Sequence, residues 1–209
     1  MKKLFLGAAL AMGSLAFAQQ FGVKGGLNVS SISKEGFSDA KSKAGYYAGV
    51  FMNAPIAENF SIQPELIYNN LGAKATSSTT VAGTTLSSST RTINLDYVTV
   101  PVMFQYHVVP QFYMEAGPEF GFLVNAKSKG ETTIAGISTS FNNDIKDKMN
   151  TFNFGLGLGA GFNVTNNFGI NARYVAGFTD LNKDGQTSLT NSDSKNRNNN
   201  FQVGISYKF

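Results

Sequence analysis

Asp180-Leu181-Asn182-Lys183-Asp184-Gly185 places oxygen-bearing side chains at its first, third and fifth positions and glycine at its sixth. The calcium loop of an EF-hand begins this way, with the oxygens as ligands and the glycine allowing a sharp turn. The match stops there. The twelfth position, which should carry a bidentate glutamate, is Asn191, and neither flank has a helical pattern. A polar surface turn accounts for the hexapeptide, so no metal site is expected. His107 is the single histidine, and there is no cysteine. Thiolate ligation, a cysteine nucleophile and disulfides are therefore excluded. No serine and acid accompany His107 in a triad arrangement. Glu115 and Glu119 lie four residues apart on one face of an alternating segment. Such a pair could act as general acid and base, but it reads better as a partner for cations across an interior. No catalytic residue, no cofactor and no enzymatic activity are expected.

The elements that must position these residues are strands. Eight segments alternate with period 2, at about 20–31, 44–53, 60–70, 93–108, 112–125, 151–164, 168–178 and 200–209. No segment holds an apolar i, i+3, i+4 pattern over three turns. The connections alternate in length. Residues 54–59, 109–111 and 165–167 are short and carry turn chemistry, as in Val109-Pro110-Gln111. Residues 32–43, 71–92, 126–150 and 179–199 are long and rich in Ser, Thr, Asn and Gly. Four long polar loops at one end of an up-and-down sheet are unusual inside a compact domain. The pattern predicts an eight-stranded antiparallel barrel with one short-turn rim and one long-loop rim.

The two faces of segment 151–164 tell which side is wet. Even positions carry Phe152, Phe154, Leu156, Leu158, Ala160, Phe162 and Val164; odd positions include Gly155, Gly157, Gly159 and Gly161. Glycine weakens a strand unless something approaches closely. Inside a narrow barrel those glycines make room for large side chains, and the Phe-rich face must point into lipid. Six of seven charges within the strands then fall on the inward phase: Lys24, Glu65, Glu115, Glu119, Arg173 and Lys208. Asp96 is the exception. Charge belongs inside, because Arg or Lys on the lipid face costs about 2–4 kcal/mol at mid-membrane. Lys24, Glu65, Glu115 and Arg173 lie at similar depth, predicting an internal salt-bridge belt, since opposite charges in a dry lumen must pair. Segment 44–53 is ambiguous in phase. Pro64, Pro101 and Pro118 fall inside strands, where each loses a ladder bond, and are expected to mark bulges.

Aromatics on the apolar phase recur at both strand ends. The spacing is ten residues for Phe112–Phe122, Phe152–Phe162 and Phe168–Phe178, and eight for Phe60–Tyr68 and Phe201–Phe209. Ten residues tilted by roughly 40° rise about 25 Å, the height of an outer-membrane apolar band. The ten rings are expected to form a girdle at each edge.

Met1-Lys2-Lys3, the apolar run Leu4 to Phe17 and Ala16-Phe17-Ala18 have the layout of a signal peptide cleaved after Ala18. The run is too short to span a bilayer as a helix. Residues 1–18 are read as this leader and 19–209 as the barrel domain. Removing the leader takes away Lys2 and Lys3 and lowers the formal charge from +4 to +2. No basic patch for nucleic acid remains.

Phe21-Gly-Val-Lys-Gly-Gly-Leu-Asn28, Phe60-Ser-Ile-Gln-Pro-Glu-Leu66, Leu95-Asp-Tyr-Val-Thr-Val-Pro-Val102, Tyr113-Met-Glu-Ala-Gly-Pro118 and the terminal Phe209 resemble a known group. It is the exported, eight-stranded, porin-like outer-membrane barrels of Bacteroidetes-type bacteria, the PorT-like family. The resemblance implies an outer-membrane β-barrel with both termini in the periplasm. It carries no catalytic residue across.

An eight-stranded barrel is just wide enough for side chains to fill. The expected function is that of a small outer-membrane barrel, structural or loop-presenting, with a filled lumen. Alternatives are a narrow channel for small solutes and an accessory barrel in secretion. The expected partners are outer-membrane lipid and, during insertion, the barrel-assembly machinery, with an unknown loop ligand, no nucleic acid and a monomeric state.

Overall fold

The computed structural model describes residues 19–33, 40–81, 84–134, 137–181, 183 and 196–209. The expected signal peptide and half of the Asp180–Gly185 hexapeptide (residues 182, 184 and 185) lie outside the described residues.

Nine strands follow one another: β1 (Gln20–Ser33), β2 (Ala40–Ala57), β3 (Phe60–Val81), β4 (Thr84–His107), β5 (Phe112–Ile134), β6 (Ile137–Asp144), β7 (Phe152–Asn163), β8 (Phe168–Gly177) and β9 (Arg197–Lys208). Every pairing is antiparallel. β1 pairs with both β2 and β9, and β4 with both β3 and β5, so eight strands close into a ring without β6. Closure removes the unpaired edges that an open sheet would leave inside lipid.

Alternation decides the faces. Along β8 the residues run exposed Phe168, buried Gly169, exposed Ile170, buried Asn171, then buried Arg173 and exposed Tyr174. Outward residues are Phe, Leu, Ile, Val and Tyr on all eight ring strands, and Leu158 is 62% exposed. Inward residues are polar or glycine, with large aromatics among them.

Several expectations are corrected. Most of residues 71–92 and 126–144 are strand and not loop. β3 and β4 continue as a hairpin through Ser78↔Ser88 to Val81↔Thr84. β5 runs on to Ile134 and turns into β6, a ninth strand that pairs with β5 alone. Ser and Thr on both faces removed the apolar phase by which strands were found, while the β-branched threonines still favour extended backbone. The ladder also keeps its register through Pro64↔Val102, Pro101↔Glu119 and Pro118↔Leu156. The irregularities fall instead at Ser42/Tyr47, Pro55/Ala57, Thr79/Thr80 and Asp96/Tyr97. Strand 44–53 takes the odd phase inward, with Tyr47 and Phe51 buried and Tyr46 and Val50 exposed.

Candidate functional site in the barrel interior

Cross-strand register builds the lower interior. Glu115 on β5 faces Gly159 on β7, and Gly159 faces Arg173 on β8. A Cβ at Gly159 would stand 2.6 Å from Ala172 O and 3.0 Å from Glu115 Oε1. Glycine therefore lets Arg173 reach across, and its Nε donates to Glu115 Oε1 at 2.7 Å. The guanidinium Nη1 and Nη2 donate to both oxygens of Glu65 on β3, each at 2.8 Å. Lys24 Nζ on β1 donates to Glu65 Oε1 at 3.0 Å. These three ion pairs involve side chains no more than 4% exposed.

Neutral donors add to both carboxylates. Gln63 Nε2 donates to Glu65 Oε1 at 2.8 Å and Gln105 Nε2 to Glu115 Oε2 at 3.0 Å. Asn53 Nδ2 in turn donates to Gln105 Oε1 and Gln63 Oε1. Arg173 is the hub. Its planar fork matches one carboxylate bidentately and still has a donor for another.

Four of the six expected lumen charges thus converge, and two do not. Glu119 is buried, but it makes no ion pair among the described residues. Lys208 is only half-buried and likewise outside the ion pairs. The inward acids and bases therefore do not balance in the dry interior. Among the described residues, the buried charges that face inward are Lys24 and Arg173 against Glu65, Glu115 and Glu119, while Asp96 is buried on the outward phase. Glu119 fell out because four residues on one strand face amount to roughly 13 Å, which sets it above Glu115.

The next levels are polar but uncharged. Tyr47 OH donates across the lumen to Asn171 Oδ1 at 3.0 Å, and Gln202 Nε2 to Asn69 Oδ1 at 3.0 Å. Glycines make room beside them. A Cβ at Gly161 would lie 2.2 Å from the Tyr113 ring, and one at Gly157 2.5 Å from Met103 Cε.

The long-loop end is closed by an apolar cap. Ile32, Leu71, Ile93, Leu95, Tyr97 and Leu123 from the strands cluster with Ile145, Met149 and Leu181 from the connections. Backbone bonds hold those connections inward: Ile145 N to Ala126 O at 3.0 Å, and Asn150 N to Leu181 O at 2.9 Å. Leu181 is 1% exposed, so the second residue of the calcium-loop-like hexapeptide is a plug in this cap. Sequence reasoning missed the cap. Its signal is Ile145, Met149 and Leu181, apolar residues scattered singly among polar ones.

On the outside, all ten rings expected in the girdles are exposed: Phe60, Tyr68, Phe112, Phe122, Phe152, Phe162, Phe168, Phe178, Phe201 and Phe209. Tyr46, Tyr106 and Tyr207 join them, Tyr106 lying 4.9 Å from Phe60 between ring centres. Asp96, the outward exception, is held by its neighbours, accepting from Asn70 Nδ2 and from Asn125 Nδ2 at 2.7 Å. His107 is half-buried at the short-turn end, 5.6 Å from the Tyr113 ring.

Residues 17–183 match a family model described as outer membrane protein beta-barrel domain. Ail, the attachment invasion locus protein of Yersinia pestis, is 13% identical over 92% of this chain and 100% of that chain, with a TM-score of 0.48. Neisserial surface protein A is 12% identical over 90% and 97% respectively, with a TM-score of 0.48. OprG from Pseudomonas aeruginosa is 14% identical over 92% and 96%, with a TM-score of 0.41. None of the curated proteins matches the chain.

Proposed function

We propose a closed, non-conducting barrel that presents a protruding sheet for this chain, which belongs to the outer membrane protein beta-barrel domain family and is a small β-barrel protein of the Gram-negative outer membrane. The observation that carries the proposal is the double closure of the lumen. The Lys24–Glu65–Arg173–Glu115 ion pairs fill the lower interior, and the Ile145–Met149–Leu181 cap covers the upper end. The ten outward rings act as girdles at the two membrane edges, a role supported by their exposure on strands of hydrophobic outward phase. Strands β3 to β6, which extend past the ring, are the presented surface.

Within the family, the chain is a PorT-like barrel of a Bacteroidetes-type bacterium, on the strength of Gln63-Pro-Glu-Leu66 and Val100-Pro-Val102. Residues 1–18 serve as its leader, and insertion uses the barrel-assembly machinery. It works as a monomer without catalysis, and His107 is a packing residue whose ring lies against Tyr113.

Planar-bilayer recording of the purified protein tests the closed barrel. The expected trace is flat for the wild type, and it stays flat on Arg173→Ala alone because the Ile145–Met149–Leu181 cap still covers the upper end. Stepwise openings in the wild type would sink the proposal and favour the narrow channel.

A further inference from the structure

Between the ion pairs and the apolar cap lies an enclosed space lined by Tyr97, Thr99, Glu119, Asn153, Asn198 and Asn200. Gly121 is paired with Thr99 on one side and Asn153 on the other, and leaves the wall between them bare. The space has room for about one water-sized body, about 10 Å³.

Leu71 and Val175 complete the walls, and most of the polar side chains there have an atom left unanswered. Tyr97 OH, Glu119 Oε2, Asn153 Nδ2, Asn198 Oδ1 and both amide atoms of Asn200 are buried without a protein partner. Buried polar atoms are normally met by something, and each one left alone needs an explanation. Here six gather around one space. Four are oxygens, and one belongs to a carboxylate.

Charge sharpens the reading. Lys24, Arg173, Glu65 and Glu115 neutralise one another through their ion pairs. Glu119 is the one excess charge among the buried inward-facing groups described. An isolated buried carboxylate is costly unless paired or ligated. Carboxylate, carboxamide and hydroxyl oxygens are hard ligands, which suit hard cations and not soft transition metals.

We infer that this space binds one small monovalent cation of the sodium or potassium type. Glu119 supplies the charge, and the side-chain oxygens of Asn198, Asn200 and Tyr97 complete the shell. One unit of charge is enough; a divalent ion would leave the buried set positive. The ion locks the middle of the plug, tying β4, β5 and β9 together. The inference rests on the closed-barrel reading, because an open lumen would hydrate Glu119.

The test is urea unfolding of the full-length barrel in phospholipid vesicles, followed by the heat-dependent gel shift. Sodium, potassium and choline chloride are compared at equal ionic strength. Above its Kd, each tenfold rise in free sodium or potassium should raise the folded-to-unfolded ratio towards tenfold. Choline, too large for the space, should give none of this. Glu119→Gln keeps the shape and should abolish the dependence, while Asn198→Ala and Asn200→Ala should weaken it. Equal midpoints in all three salts for the wild type would overturn the site. So would a dependence that persists in Glu119→Gln. If Glu119→Gln does not fold, an undiminished dependence in both asparagine variants would overturn it equally. Conductance separates the two proposals. A flat bilayer trace without cation linkage sinks only the ion site, whereas stepwise openings sink the closed barrel.

Discussion

Removing Arg173 should not distribute its cost evenly over its two partners. In the structure Glu115 has one ion-pair partner, Arg173, whereas Glu65 has both Arg173 and Lys24. Arg173→Ala deletes three charged hydrogen bonds among side chains no more than 2% exposed. Breaking a buried pair by taking away one partner typically costs about 3–5 kcal/mol, because a charge is left unanswered. The stranded charge is Glu115, left with Gln105 as its only side-chain donor among the described residues. Glu115→Gln alone leaves the bidentate Arg173–Glu65 contact in place and should cost less, about 1.5–3 kcal/mol for one charged hydrogen bond. Adding Glu115→Gln to Arg173→Ala then removes the stranded charge and leaves Lys24 with Glu65. The double variant should be more stable than the sum of its parts by about 1–3 kcal/mol, in the range for neighbours that share a network. Glu65→Gln should give no such relief, since it strands Lys24 and Glu115 together. The assay is urea unfolding in lipid vesicles with the gel shift as readout, run as two double-mutant cycles. Additive effects in the Arg173/Glu115 cycle, or equal rescue by both glutamine variants, would refute this account of the plug.

Two further substitutions test the rest of the architecture. Leu158→Arg, on the outward phase of β7, should destabilise by about 2–4 kcal/mol, whereas Thr76→Arg, exposed on the protruding part of β3, should stay within about 0.5 kcal/mol; equal costs in vesicle unfolding would misplace the membrane boundary. Gly161→Ala should cost about 1–3 kcal/mol by overpacking against the Tyr113 ring, and Tyr113→Leu should relieve it in the double variant, as read by the same unfolding midpoints.

How far the sequence discloses this structure depends on whether its two faces differ. Along β7, Phe and Leu alternate with glycine, so both strand and orientation are legible. Along β2 they are not, because Tyr46 and Tyr47 are adjacent and only one enters the lumen. A narrow barrel takes aromatics inside as well as outside, and hydropathy alone cannot separate the two destinations. The four-residue charge cluster was readable because equal depth along tilted strands brings residues together. Glu119 was not, since the depth of one strand does not reveal which neighbours are already paired. The hairpins beyond the ring were read as loops for the opposite reason. Both faces there are hydroxyl-rich, so period-2 contrast vanishes, and only the pairing of Ser88 with Ser78 and Thr133 identifies them as sheet. Asp96 looked misplaced until Asn70 and Asn125 came to its level from the neighbouring strands.

Strand length connects the sealed interior to the protruding sheet. β8 has 10 residues and β4 has 24. At about 3.3 Å per residue and a tilt near 40°, the first rises roughly 25 Å, which is the apolar band itself. The second, at the same tilt, rises roughly 60 Å, so more than half of it stands clear of the band. An interior of eight strands is filled by its own side chains, which leaves little freedom to place a recognition surface there. Beyond the girdle that constraint lifts, and the outward face changes accordingly. Tyr68 on β3 gives way to Lys74 and Thr76, and Phe122 on β5 to Lys129 and Glu131. The paired backbone continues, so these side chains are carried on a sheet and not on a floppy tether. A paired sheet standing clear of the apolar band is the geometry that the proposed surface-contact role requires.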